Sequence, residues 1–418
     1  MKFLCKTGFL TVATFLLLVE LGCGDQYRPV ANPIVSGGGQ PQTTHYAYVV
    51  NLNPNGDGSV TQIDVSGDTN VGVSSLGVGS IAEAFPPSSA ALFVANSGDD
   101  TVSEFLPIIN SAITTIAMLP GSHPIFVSSA QAGVMYVINS GTNSACPNTG
   151  SISTIPVSGL NVTSTVCVGV NPTSMVQVPV NGFIYVLNKG DGSLSLLSAG
   201  SSTVTATITT ANGLGANPVS LAASTDGNWV FVVTQGSGGG AGALDIISAG
   251  SGAVTASVPL GVQPTFSVID PNLNRLYVTN TGDDTVSVFD TTNVNLSNSP
   301  AMPTLATVNV GTGPIGVTAL SDGTKFYVAN AGSNDVTVVS ASSYSVLSTV
   351  PLAANANPVW INSDPTASKV YVANQGTTNT TIIQTSNNSV TLSIPAPPQV
   401  VGCTSSCALQ QPVMIVSQ

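Results

Sequence analysis

The segment Tyr277-Val278-Thr279-Asn280 recurs eight times with small changes, its copies ending at Asn51, Asn96, Asn139, Asn188, Thr234, Asn280, Asn330 and Asn374. Successive copies lie 43 to 50 residues apart. A repeat of that length built from short strands buries its faces only by stacking on its neighbours, which restricts the chain to a propeller or a solenoid. The residues between copies follow one grammar. In the sixth copy, Gln263-Pro264 opens a short apolar strand ending near Ile269, and Asp270-Pro271-Asn272 makes a turn. Leu276 to Asn280 form a second strand, Gly282-Asp283-Asp284 a second turn, and Thr285 to Phe289 alternate polar with apolar. Leu305 to Val310 form a fourth strand before Gly313-Pro314 begins the next unit. Each unit is therefore a four-stranded antiparallel meander.

The second strand is apolar or aromatic at successive positions: Leu92-Phe93-Val94, Met135-Tyr136-Val137, Ile184-Tyr185-Val186, Phe326-Tyr327-Val328 and Val370-Tyr371-Val372. A strand apolar on both sides needs cover on both sides, which the packed blades of a propeller supply. The first copy lacks the Pro-led strand that opens six of the others, and Gln411-Pro412-Val413-Met414-Ile415-Val416-Ser417 matches the missing piece. The expected fold is thus all-β: a β-propeller of four-stranded blades, closed by a C-terminal strand that joins the first blade. Eight blades follow from the motif count, at about 47 residues each over 45–418; seven blades is the alternative.

At these residues, as in Leu92-Phe93-Val94-Ala95-Asn96-Ser97-Gly98-Asp99-Asp100-Thr101-Val102-Ser103, the chain resembles the YVTN-repeat β-propeller family of YncE-like bacterial exported proteins. The resemblance spans roughly 45–418 and is specific for fold, less so for function. Relatives include archaeal surface-layer proteins and the propeller of quinoprotein amine dehydrogenase heavy chains, and many have seven blades.

Composition narrows the partners. Only 6% of the 418 residues are charged, and seven Lys and Arg stand against 19 Asp and Glu, a formal charge of −12. So few cations exclude a phosphate-reading surface and a basic patch on anionic lipid, so no nucleic acid is expected. Lys2 and Lys6 precede an apolar run, Phe9 to Val19, too short for an ordinary membrane span. Leu21-Gly22-Cys23 then resembles a bacterial lipobox, with Glu20 and Leu21 departing from its usual residues. Residues 1–22 are read as a lipoprotein-type signal peptide, Cys23 as the lipidated first residue of the mature chain, and 23–44, with Pro29, Pro33, Pro41 and Gly37-Gly38-Gly39, as a flexible tether. Ordinary cleavage nearby, with Cys23 incidental, is the alternative. Cys146, Cys167, Cys403 and Cys407 form an even set, and disulfides are expected in an exported chain. Pairing Cys146 with Cys167 and Cys403 with Cys407 is the simplest of three connectivities; the first closes a loop worth about 3 kcal/mol.

Candidate chemistry is sparse. His45 and His123 are the only histidines, and both sit at strand starts. Asp99-Asp100 and Asp283-Asp284 look like carboxylate pairs, but both occupy a turn that Asp favours for backbone reasons. Asn53, Asn55, Asp57 and Asp64, with Gly58 following Asp57, have calcium-loop spacing without the bidentate Glu, and read better as a polar hairpin. The Gly236–Gly242 run lacks the Lys and following helix of a phosphate loop. Trp229 and Trp360 read as core. Of the basic residues, Arg28 lies in the tether, and Lys189, Arg275, Lys325 and Lys369 fall at turn-like positions. No catalytic residue, cofactor or metal ligand is assigned. The function expected is a non-enzymatic binding or scaffolding module of the bacterial cell envelope, periplasmic or at the cell surface. It is expected to be monomeric, to touch membrane only through its lipid anchor, and to bind an envelope protein or a glycan. The rivals are a propeller enzyme of the lactonase or quinoprotein-dehydrogenase kind, which needs basic residues and Asp gathered at one channel mouth, and a structural surface or adhesion protein.

Overall fold

A computed structural model of the chain describes residues 46–53, 56–84, 91–106, 114–131, 133–178, 182–270, 272–298, 300–366, 368–398 and 409–417. Cys23, Arg28, His45, Cys403 and Cys407 lie outside them, as do the segments 1–22 and 23–44 read above as signal peptide and tether. The strands form eight four-stranded antiparallel sheets. Blades 2 to 8 each use four consecutive strands. Blade 1 combines Tyr46–Leu52, Asp57–Asp64 and Thr69–Val78 with Gln411–Ser417, which pairs antiparallel with Tyr46–Leu52 as the innermost strand. Each inner strand touches that of the next blade, and Pro358–Ser363 of blade 8 touches Gln411–Ser417 of blade 1, so the ring is closed. The count is eight, and the seven-blade alternative falls.

The second strands explain the ring. In blade 6, Leu276, Tyr277 and Val278 are all fully buried. Leu276 and Val278 pack with Phe231, Val233 and Leu244 of blade 5, whereas Tyr277 packs with Val317, Phe326 and Val328 of blade 7. Alternation along one strand therefore feeds two interfaces. At about 1.5–3 kcal/mol for each large apolar side chain buried, these interfaces dominate stability.

The motif asparagine ties the second strand to the third. Asn280 Nδ2 donates to Thr285 Oγ1 at 3.0 Å and Ser287 Oγ at 2.9 Å. Asn96 does the same to Thr101 and Ser103, Asn139 to Ser151 and Ser153, and Asn188 to Ser193 and Ser195. Some motif tyrosines tie one blade to the next: Tyr185 OH donates to Ala249 O at 2.9 Å and Tyr327 OH to Asn388 Oδ1 at 2.8 Å, whereas the Tyr277 and Tyr371 hydroxyls are buried without a partner among the described residues. At the seam between blades 8 and 1, Trp360 Nε1 donates to Ile415 O at 3.0 Å, Ser417 Oγ donates to Ser363 O at 2.9 Å, and Lys369 pairs with Asp68.

Deleting Gln411–Gln418 removes buried Ile415, the strand ladder to Tyr46–Leu52 and the acceptor for Trp360. The expected cost is on the order of 5 kcal/mol or more, from the burial and hydrogen-bond terms together. Thermal unfolding followed by circular dichroism should show a large fall in Tm; an unchanged melt would contradict closure by this strand.

Candidate functional site

Inner strands run from their proline at the upper end to a turn at the lower end, and second strands return to the motif asparagine at the upper end. The upper face therefore holds the blade-to-blade loops and the turns joining second to third strands. Around the channel mouth the residue before the inner-strand proline of blades 3 to 8 has a left-handed backbone: His123, Asn171, Asn217, Gln263, Gly313 and Asn357, with φ between 45° and 66°. That region suits Gly and Asn, which fill four of these six places. Each carbonyl in this ring accepts from the residue after a motif asparagine or, in blade 5, after Thr234: Ser140 N on His123 O, Lys189 N on Asn171 O, Gln235 N on Asn217 O, Thr281 N on Gln263 O. Two concentric sets of side chains result, chiefly amides and hydroxyls.

The carboxylate pairs build this mouth. Asp99 Oδ2 accepts from Val78 N at 3.1 Å, in the loop entering its own blade; Asp100 accepts from Gly121 N and His123 N at 2.7 Å each, in the loop leaving it. Asp283 and Asp284 repeat the device, with Val262 N at 2.5 Å and Gly313 N at 2.8 Å. Asp100 and Asp284 have positive φ, as their turn requires. Each pair thus staples two loops. His123 is held by Asp100 and by contact of its Nδ1 with Ser97 O at 2.9 Å. It stands at the upper mouth as one member of the ring.

Two longer loops rise over the mouth. In blade 3, residues 140–150 are pinned by a Cys146–Cys167 disulfide, with Cα atoms 5.4 Å apart, and by Asn143 Nδ2 on Ser122 Oγ and Ser151 Oγ. In blade 5, the glycine run is a hairpin with positive φ at Gly236, Gly238 and Gly239, anchored by Asn217 Nδ2 on Gly236 O and Gln235 Nε2 on Pro264 O. The short turn of blade 4 between them carries Lys189, which is exposed and makes no ion pair among the described residues.

Below the mouth, across blades 6 to 8, the channel wall carries a largely apolar stretch. The eight inner strands contain two ionisable residues, Glu83 and Asp270, and Asp270 is buried at its lower end, accepting from Asn272 N and Leu273 N. Thr265, Phe266, Ile315, Gly316, Val359 and Trp360 line a cavity of about 140 Å³. Phe266 and Trp360, two blades apart, meet edge to face at 5.8 Å over Gly316. Trp360, expected in the core, is only partly buried and faces this channel, because strand alternation alone does not say which side of an inner strand meets the axis. Trp229 packs against the blade 5–6 core as expected.

The remaining basic residues do not gather. Arg275, Lys325 and Lys369 each begin a second strand, on the lower face of blades 6, 7 and 8, rather than occupying turns. Arg275 pairs with Asp290 at 3.0 Å, Lys325 Nζ donates to Thr385 O at 2.7 Å, and Lys369 pairs with Asp68. The calcium-loop spacing also dissolves: Asp57 and Asp64 stand at opposite ends of one strand, roughly 23 Å apart at strand rise. Among the described residues no three His, Cys, Asp or Glu side chains cluster as metal ligands. Burial pushes the motif phenols upward, Tyr185 to about 12, so they stay neutral.

One ionisable group was missed from sequence. In blade 5 Thr234 replaces the motif asparagine, and Asp245 stands where other blades place Ser or Thr. Asp245 is buried, with Oδ2 accepting from Gly215 N at 2.6 Å. Burial raises its carboxyl above the usual range, and the Gly215 and Ser257 bonds only partly offset this. A proton held more tightly in the folded state makes stability fall as pH rises from the ordinary carboxylate value through the raised one, and the loss persists at neutral pH. Asp245→Asn is therefore expected to gain stability over wild type at pH 7 relative to pH 4. Paired thermal melts at the two pH values check this; a constant difference would refute it.

The chain matches a family model described as lactonase, 7-bladed β-propeller, over residues 247–403, which spans blades 6 to 8. No functionally curated protein matches the sequence. Among solved structures it is similar to hydrazine synthase of Kuenenia stuttgartiensis, at 20% identity and a TM-score of 0.54, over 74% of this chain and 99% of that one. The dihydro-heme d1 dehydrogenase NirN gives a TM-score of 0.67 at 12% identity, over 92% and 78%. A putative 6-phosphogluconolactonase from Bacteroides fragilis gives 0.57 at 12%, over 91% and 100%. These likenesses establish a β-propeller and speak to fold alone.

Proposed function

We propose that this chain is an exported, YVTN-repeat propeller, lipid-anchored at Cys23, that binds a hydroxyl-rich glycan of the bacterial envelope at its upper mouth without turning it over. One observation supports this most directly: amide and hydroxyl side chains make up most of the ring around the mouth, the Asp pairs there are taken up in stapling loop N–H groups, and no inner strand beneath contains His, Lys, Arg or Cys. Acid–base or nucleophilic chemistry needs such groups converging on one point. Amides and hydroxyls in concentric sets suit polyols, whose many weak donors and acceptors they can match. Lys189, between the two raised loops, supplies one cation for an acidic substituent. The spacing of Cys403 and Cys407 suits a second disulfide. The competing reading is a propeller lactonase, favoured by the family-model match over blades 6 to 8 and by the likeness to a putative 6-phosphogluconolactonase.

A glycan array and a lactone-hydrolysis assay, run on one preparation with and without added divalent metal, separate the two. The expected outcome is retention of a subset of glycans, weakened several-fold by Asn217→Ala or Gln263→Ala, with lactone turnover at the blank rate. Metal-stimulated lactone hydrolysis with no glycan retained would overturn the reading.

A further inference from the structure

The channel cavity of blades 6 to 8 lies just below the mouth. Thr265 and Phe266 follow Pro264 there, Ile315 and Gly316 follow Pro314, and Val359, Trp360 and Ile361 follow Pro358. Gln263, Gly313 and Asn357 of the mouth ring therefore stand directly above it. The second residue after the proline is Phe266 in blade 6, Gly316 in blade 7 and Trp360 in blade 8, so an absent side chain falls between two aromatic ones. Gly316 does not have a positive φ. A Cβ added to it would have one near neighbour, the Ile361 Cγ2 methyl at 3.3 Å. Backbone conformation does not call for glycine here, and no main chain crowds it. What glycine supplies is room: about 140 Å³ beside Phe266 and Trp360, close to the volume of a dry cavity that holds one benzene-sized group.

The lining residues carry two polar side-chain groups, and both have their hydrogens committed. Trp360 Nε1 donates to Ile415 O at 3.0 Å. Thr281 Oγ1 donates to Pro314 O at 2.6 Å, so in its 2.7 Å contact with Thr265 Oγ1 the donor is Thr265. A hydroxyl has one hydrogen and two lone pairs, so Thr265 Oγ1 can still accept but has nothing left to give. The cavity therefore offers aromatic and aliphatic surface, one side-chain acceptor and no side-chain donor. We infer that it receives the acetamido arm of an N-acetylated amino sugar. The methyl packs on Phe266 and Trp360, the N–H goes to Thr265 Oγ1, and the carbonyl faces the amides of Gln263 and Asn357 above. This rests on the reading of the mouth as a glycan site and adds which sugars that site selects. A whole pyranose fits worse, because each hydroxyl buried here without a partner carries a desolvation cost. An ionic group fits worse still, because no charged side chain lines the cavity. An acetamido arm brings one donor for the one acceptor and an apolar end for the aromatic pair.

Titration calorimetry with triacetylchitotriose and cellotriose tests this. These β-1,4 glycans differ at C2, where one carries an acetamido group and the other a hydroxyl. Wild type is expected to bind the acetylated glycan about tenfold more tightly, from the burial of a methyl and one hydrogen bond. Gly316→Leu, which fills the cavity, should abolish that preference with Tm preserved. If that variant folds poorly, Thr265→Val removes the acceptor alone and should cut the preference several-fold. Equal affinity of wild type for the two glycans, or an intact preference in the folded variant, overturns the inference and leaves the glycan reading standing. Binding of neither trisaccharide overturns it too, and sinks the glycan reading only if the array also retains nothing.

Discussion

The structure depends on a second strand that has no solvent side. Leu276 and Val278 belong to one inter-blade core and Tyr277 to the next, so no blade owns a core of its own. Stability is therefore a property of interfaces, and an open arc would leave two apolar faces wet. The asparagine clips and tyrosine bridges are secondary to this. Each contributes only about 0.5–1.5 kcal/mol, but they set register within a blade and spacing between blades.

Much of this was legible in the sequence. The eight motifs gave the blade count, and the proline-led strand missing before Tyr46 but present at Gln411 gave the closure. Repetition makes each copy a check on the others, which single elements never provide. The turn role of Asp99-Asp100 was also readable from residue preference. That each carboxylate holds a different loop was not, because the partners lie 21 and 23 residues away in irregular backbone.

The mouth itself was largely hidden. His123 looked like an isolated histidine; its place in a ring with Asn171, Asn217 and Gln263 emerges from a shared left-handed backbone. Trp360 was hidden for a different reason, since an inner strand has one face on the axis and one on a neighbour, and both are apolar here. Asp245 had a signal that could have been used: aligning the copies shows an acid where its counterparts carry hydroxyls, in the one blade whose motif ends in Thr234.

Closure by the C-terminal strand also orders events in time. A polypeptide made from its N-terminus presents blades 2 to 8 complete and three strands of blade 1 before residues 411–417 exist. Until then the apolar faces of Tyr46–Leu52 and of blade 8 have nothing to lock them together. Commitment to the native ring therefore waits on residues 411–417, whichever blades have already formed.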